Sequence, residues 1–84
     1  MKVLIIDDER AIRRALREIL EFEQIQVHEA ENGKDGLELL RSNSFDLVFS
    51  DIKMPLMDGM EVLTAIQMEK IDVPIVMISG HGNV

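Results

Sequence analysis

An unbroken apolar run, Val3-Leu4-Ile5-Ile6, ends abruptly at two acids, Asp7 and Asp8, and runs of the same kind recur along the chain. A continuous apolar run of this length suits a strand covered on both faces, as in a parallel sheet, rather than one with a wet side. Between the runs lie longer stretches of a different period. From Arg10 to about Phe22 the apolar residues fall at Ala11, Ile12, Ala15, Leu16, Ile19 and Leu20, one stripe of a helix, with Arg13, Arg14, Arg17, Glu18 and Glu21 turned outward. Asp8 or Glu9 is placed to accept from the free N–H groups at its start.

The alternation continues. Residues 25–30 read as a second strand, Asn32-Gly33 as a turn or N-cap, and the stretch to Arg41 as a short helix with Leu37, Leu39 and Leu40 apolar. Asp46-Leu47-Val48-Phe49-Ser50 is a third strand that ends at Asp51. Pro55 and Asp58-Gly59 break regular structure, so residues 51–58 are expected to form a loop. A third helix is predicted from about Met60 to Glu69, burying Val62, Leu63 and Ile66. Pro74 then opens a fourth strand, Ile75-Val76-Met77-Ile78. The order β-α-β-α-β-α-β with right-handed crossovers gives an α/β doubly wound parallel sheet with helices on both faces.

Composition narrows the function classes. The net charge of −7 argues against direct contact with nucleic acid, whose phosphates need a basic surface. Arg10, Arg13, Arg14 and Arg17 do gather on one segment, but acids flank them, and they read as a solvated helix face. The absence of cysteine excludes disulfides, thiolate metal sites and thiol nucleophiles, and fits a cytoplasmic location. The apolar run before Asp7 is too short to span a membrane or to serve as a signal sequence. His28 and His81 stand alone, without the paired spacing of a zinc site.

In a doubly wound sheet, ligands bind outside the carboxyl ends of the strands. Asp7 and Asp8 follow the first strand and Asp51 the third, so three carboxylates converge if those strands are neighbours. Two like charges about 4 Å apart repel by roughly 4 kcal/mol at an effective dielectric of 20. Such a cluster keeps a proton or holds a cation, and hard oxygen ligands favour Mg²⁺ or Mn²⁺. A carboxylate beside such an ion can attack phosphorus and form an aspartyl phosphate. Ser79 is placed to supply a hydroxyl, and the amides of Ile52, Lys53 and Gly80 are candidate donors to the phosphoryl oxygens. Taken singly, these residues have plainer readings: Asp7 and Asp8 as helix caps, Asp51 as a strand-end carboxylate, Asp58-Gly59 as a turn. Their joint placement at three strand ends changes the balance.

V-L-I-I-D-D-E at 3–9, D-I-K-M-P-L-M-D-G at 51–59 and V-M-I-S-G at 76–80 resemble the signature blocks of two-component response regulator receiver domains. The resemblance covers the whole chain and implies the flavodoxin-like fold with strand order 2-1-3-4. It implies that Asp51 is the phosphorylated nucleophile, that Asp8 binds the metal directly and Asp7 through water, and that Lys53 offers its backbone carbonyl. It also implies that Ser79 turns toward the phosphoryl group, and that Pro55 and Gly59 shape the loop after Asp51. The implied phosphodonor is a phosphohistidine on a sensor histidine kinase or phosphotransfer protein, and the implied output is an effector domain elsewhere in the parent protein. Such a domain is a phospho-acceptor rather than an enzyme in its own right, beyond self-phosphorylation and autodephosphorylation.

Family members continue through a fourth helix, a fifth strand ending in a lysine, and a fifth helix. Residues 1–84 are therefore expected to be an incomplete receiver, about two-thirds of the family's domain, open to oligomerisation or exchange of elements between chains. Ser-Gly-His-Gly-Asn at 79–83 is similar to receivers of sigma-54-dependent transcription activators. Two other classes fit the sequence less well. A metal-dependent phosphatase calls for a second acid two residues after the nucleophile, where Lys53 stands. A purely structural pseudo-receiver calls for loss of an acidic position, yet Asp7, Asp8 and Asp51 are all present. Met54, Met57 and Met60 around the loop are expected to pack in core or loop rather than bind metal.

Overall fold

The computed structural model describes residues 1–78. The elements run β1 (Lys2–Ile6), α1 (Arg10–Phe22), β2 (Gln26–Ala30), α2 (Gly33–Ser42), β3 (Leu47–Asp51), α3 (Gly59–Met68) and β4 (Ile75–Ile78). The strands form one parallel sheet in the order β2-β1-β3-β4, the flavodoxin-like order expected from the resemblance. Placing β1 between β2 and β3 buries its apolar run on both faces: Val3, Leu4, Ile5 and Ile6 are all fully buried.

The two faces are covered differently. Leu4, Ile6, Ala30 and Val48 meet Leu37 and Leu40 of α2, Phe45, and Val62 and Ile66 of α3 in one core. On the other face Val3, Ile5 and Val27 are covered by α1, with Leu16 and Leu20 packed against them. Half of the stripe predicted for α1 meets the sheet: Leu16 and Leu20 pack against it and Ile12 is half-buried, whereas Ala11, Ala15 and Ile19 are exposed. No residue of α1 is fully buried, and Ile19 and Phe22 remain 63% and 85% exposed. Leu63, expected to be buried, is only half-buried, as is Leu39, which packs against the α2–α3 core.

Helix ends are set by local chemistry. Asn32 caps α2, its side chain accepting from Asp35 N–H at 2.8 Å. Asp58 caps α3 in a capping box: it accepts from Glu61 N–H at 2.9 Å, while Glu61 accepts from Asp58 N–H at 3.0 Å. The pair Asp58-Gly59, read from sequence as a turn, is thus a helix start, a role that the Asp58-x-x-Glu61 spacing also signals. Both α1 and α3 end in the same way, on a residue with positive φ followed by isoleucine. Gln24 and Lys70 adopt φ 63° and 57°, and the N–H groups of Ile25 and Ile71 reach back to the carbonyls of Leu20 and Ile66. Each isoleucine then packs against a core, Ile25 on the α1 face and Ile71 on the α2–α3 face.

Candidate functional site

Asp7 and Asp51 lie one residue beyond the last register pair of β1 and β3, Ile6 with Ser50. The adjacency of these strands brings both acids to one sheet end, and Asp8 joins them. Carboxylate oxygens of Asp7, Asp8 and Asp51 lie within 4.8 Å of one another. Asp7 and Asp51 are fully buried; Asp8 is exposed at the rim.

The carboxylate of Asp7 is oriented by one bond. Its Oδ1 accepts from Glu9 N–H at 2.8 Å, while Oδ2 is buried with no hydrogen-bond partner among the described residues. A buried carboxylate oxygen left so is costly unless a cation or water meets it. Burial pushes the Asp7 pKa above its ordinary value of 3.8; the Glu9 N–H pulls it back, and the charges of Asp51, Asp8 and Glu9 push it further up. Of Asp8 and Glu9, expected to cap α1, Glu9 is the N-cap residue but makes no side-chain cap hydrogen bond; the Asp7 carboxylate bonds the N–H of Glu9 rather than one inside the helix.

The loop after Asp51 closes tightly. Gly59 N–H donates to the Ile52 carbonyl at 2.8 Å, and a Cβ on Gly59 would stand 2.2 Å from the Asp51 carbonyl oxygen, so only glycine lets α3 begin this close to the strand end. Between them, Met57 N–H donates to the Pro55 carbonyl at 2.8 Å across Leu56, whose φ is 70°. This is a γ-turn of the rare, strained hand, and it leaves the Leu56 side chain 79% exposed. Lys53 is exposed on this loop, and Met54 and Met57 pack against the core, whereas Met60 faces solvent. Ser79 and Gly80 lie outside the described residues, as does His81; His28 packs edge-on against Phe45, with ring centroids 5.5 Å apart.

The sequence matches the response regulator receiver domain over residues 3–84. The chain belongs to the response regulator receiver family. It is 40% identical over 81 residues to the transcriptional regulatory protein SrrA of Staphylococcus aureus, a match that covers 96% of this chain and 33% of that protein. Among solved structures it resembles the response regulator TrrA of Thermotoga maritima in complex with Mg²⁺ and BeF (TM-score 0.89, 37% identity, 96% of this chain and 70% of that one). It also resembles the chemotaxis protein CheY4 of Vibrio cholerae (TM-score 0.88, 31% identity, 98% and 70%). The receiver chain thus spans about a third of the curated relatives it matches and about two-thirds of the solved receiver chains. Receivers of this family act in two-component signalling. Among the described residues no helix is long and apolar enough to cross a membrane.

One group at this end of the molecule carried no site signal in the sequence. Arg13 and Arg17, expected to be solvated, turn inward onto Glu29. Arg13 Nε meets Glu29 Oε1 at 2.9 Å and its Nη1 donates to the Asp7 carbonyl at 2.7 Å. Arg17 pairs with the other Glu29 oxygen and with Glu21, and donates to the Val27 carbonyl at 2.9 Å. Their local spacing is that of an ordinary charged helix face; only the position of β2 beneath α1 brings Glu29 to them.

Proposed function

We propose that Asp51 accepts a phosphoryl group, with a divalent cation held by Asp7, Asp8 and Asp51 and by the Lys53 backbone carbonyl. The observation that carries this reading is the convergence of three carboxylates, two of them fully buried, at one end of the sheet. The all-oxygen donor set and the buried Asp7 Oδ2 suit Mg²⁺, and Mn²⁺ as a substitute. Bound there, the ion supplies positive charge to the transferring phosphoryl oxygens.

The chain's own part is positioning. Asp51 is fixed as the last residue of β3, with its main chain packed under Gly59. One of its carboxylate oxygens attacks phosphorus in line with the P–N bond of a phosphohistidine. The O–P bond forms as the P–N bond breaks, and the donor's imidazole leaves with the electron pair and takes up a proton. The amides of Ile52, Lys53 and Gly80 and the Ser79 hydroxyl serve as donors to the phosphoryl oxygens, with Pro55 and Gly59 shaping the loop. The donor is a sensor histidine kinase or phosphotransfer protein in the cytoplasm. The effect passes to an effector domain that controls transcription.

The test is phosphoryl transfer from a phosphohistidine donor in the presence of Mg²⁺, read by intact mass and site mapping. The native chain should gain one phosphoryl group on Asp51, and Asp51→Asn none. Labelling that survives in Asp51→Asn, or its absence from the native chain, would overturn the assignment. Titration with Mg²⁺ and beryllofluoride gives the non-covalent counterpart, an Asp51-dependent response.

A further inference from the structure

Holding three carboxylates within reach of one ion is a mechanical problem as well as an electrostatic one. They repel until the ion arrives, so the main chain that carries them must be fixed in advance. For Asp51 a strand and the close approach of Gly59 do this. Asp7 lies just past the end of β1, where the ladder with β3 has stopped.

We infer that Arg13 is the positioning residue for Asp7, and that Glu29 in turn holds Arg13. The inference rests on the metal reading given above. Asp7 N–H donates to the Ala30 carbonyl at 3.1 Å, which ties it to β2. Its own carbonyl accepts from Arg13 Nη1 at 2.7 Å, and Arg13 N–H donates to the Glu9 carbonyl at 3.1 Å. A single residue therefore grips residues 7–9 from two directions, once with its main chain and once with its guanidinium. Those three residues contain both Asp7 and Asp8, and also the Glu9 N–H that turns the Asp7 carboxylate.

The guanidinium is itself fixed. Its side chain is 13% exposed, and Nε pairs with Glu29 Oε1 at 2.9 Å. Glu29 stands in register with Ile5 on the strand beside β1, so the clamp spans α1, β1 and β2. A planar fork can serve a carbonyl and a carboxylate at once with fixed geometry, whereas the compact ammonium of lysine cannot hold both equally well. Arg17 supplies an internal control. It lies one turn further along the same helix and shares the Glu29 carboxylate, but its remaining contacts go to Glu21 and Val27. Both arginines tie α1 to the sheet; Arg13 also carries the bond to Asp7.

The test is Mn²⁺ binding by electron paramagnetic resonance on the full chain and its Arg13→Ala, Arg13→Lys and Arg17→Ala variants, well below the lowest melting midpoint. Thermal unfolding is measured in parallel. Arg13→Ala should weaken Mn²⁺ binding about 10-fold, the size of effect seen when a partner behind a metal ligand is removed. Arg13→Lys should fall between it and the native chain. Arg17→Ala should lower the melting midpoint yet bind Mn²⁺ within about twofold of native, since it leaves the metal ligands and their hydrogen bonds in place. Should Arg13→Ala fail to fold, Arg13→Lys against Arg17→Lys decides by the same ordering. Native binding with Arg13 variants unchanged would overturn the positioning role alone, as would an equal loss in the Arg17 variant. No Mn²⁺ binding by the native chain would overturn the metal reading and the positioning role together.

Discussion

The two faces of the sheet are held by different forces. On the α2–α3 face, Leu4, Ile6, Val48, Val62 and Ile66 close into a core that excludes water. On the α1 face, Val3, Ile5 and Val27 are buried, but the helix above them has no fully buried residue. What ties α1 down is largely polar: Arg13 and Arg17 on Glu29, with the Asp7 and Val27 carbonyls accepting from the same arginines. One face is held by area removed from water; the other adds charged hydrogen bonds made in a half-buried setting to a smaller apolar contact. The strand-end acids sit where the two regimes meet. Asp51 is anchored from the packed face through Gly59, and Asp7 from the polar face through Arg13.

The comparison can be broken most directly by matched truncations. Leu4→Ala, in the packed core, should lower the unfolding free energy by about 2–5 kcal/mol. Leu16→Ala, at the half-buried contact of α1, should cost about 1 kcal/mol, since less area leaves water. Chemical denaturation of the two variants measures both; equal losses would mean that α1 is held by burial after all.

Next in size is the anchor at Asp51. Gly59→Ala places a methyl carbon against the Asp51 carbonyl oxygen, so α3 and the strand end must move apart, at a cost of about 1–3 kcal/mol. Denaturation should show that loss, and Mn²⁺ titration should show weaker binding. A variant as stable as the native chain would mean that the loop yields freely.

The smallest effect is electrostatic. Burial would raise the pKa of Glu29, but the hydrogen bonds from Arg17 and Arg13 prevail and hold it below its ordinary value of 4.5. Between the lowered value and 4.5 the unfolded chain binds a proton that the folded chain does not, so stability rises with pH in that window. The contribution is complete above 4.5 and is lost as pH falls through the lowered value. Glu29→Gln should therefore flatten the dependence of the melting midpoint on pH below 4.5. Parallel curves for native and variant would show that the pair adds nothing to the α1 face.

Much of this was legible along the chain because it is written in local period. The apolar run Val3–Ile6 and the stripe of residues 10–22 announce a strand and a helix wherever they sit. The spacing Asp58-x-x-Glu61 is that of a capping box, but Asp58-Gly59 reads as a turn along the chain, since Gly59 opens a helix for reasons of contact rather than of φ. The strained turn at Leu56 had no signal: nothing in a leucine after proline calls for positive φ, and the loop's closure on Gly59 imposes it.

The sequence by itself determined the order of the elements and put acids at the ends of the first and third apolar runs. Both follow from the polarity of neighbouring residues. Only the tertiary structure decided that those acids meet and that two arginines of an ordinary charged helix turn inward onto Glu29, one of them also reaching the Asp7 carbonyl. The seating of β1 between β2 and β3 brings Asp7 beside Asp51, and β2 beneath α1 brings Glu29 under Arg13. Such pairings join residues far apart in sequence, and a side chain's local spacing carries no record of the partner that folding will place against it.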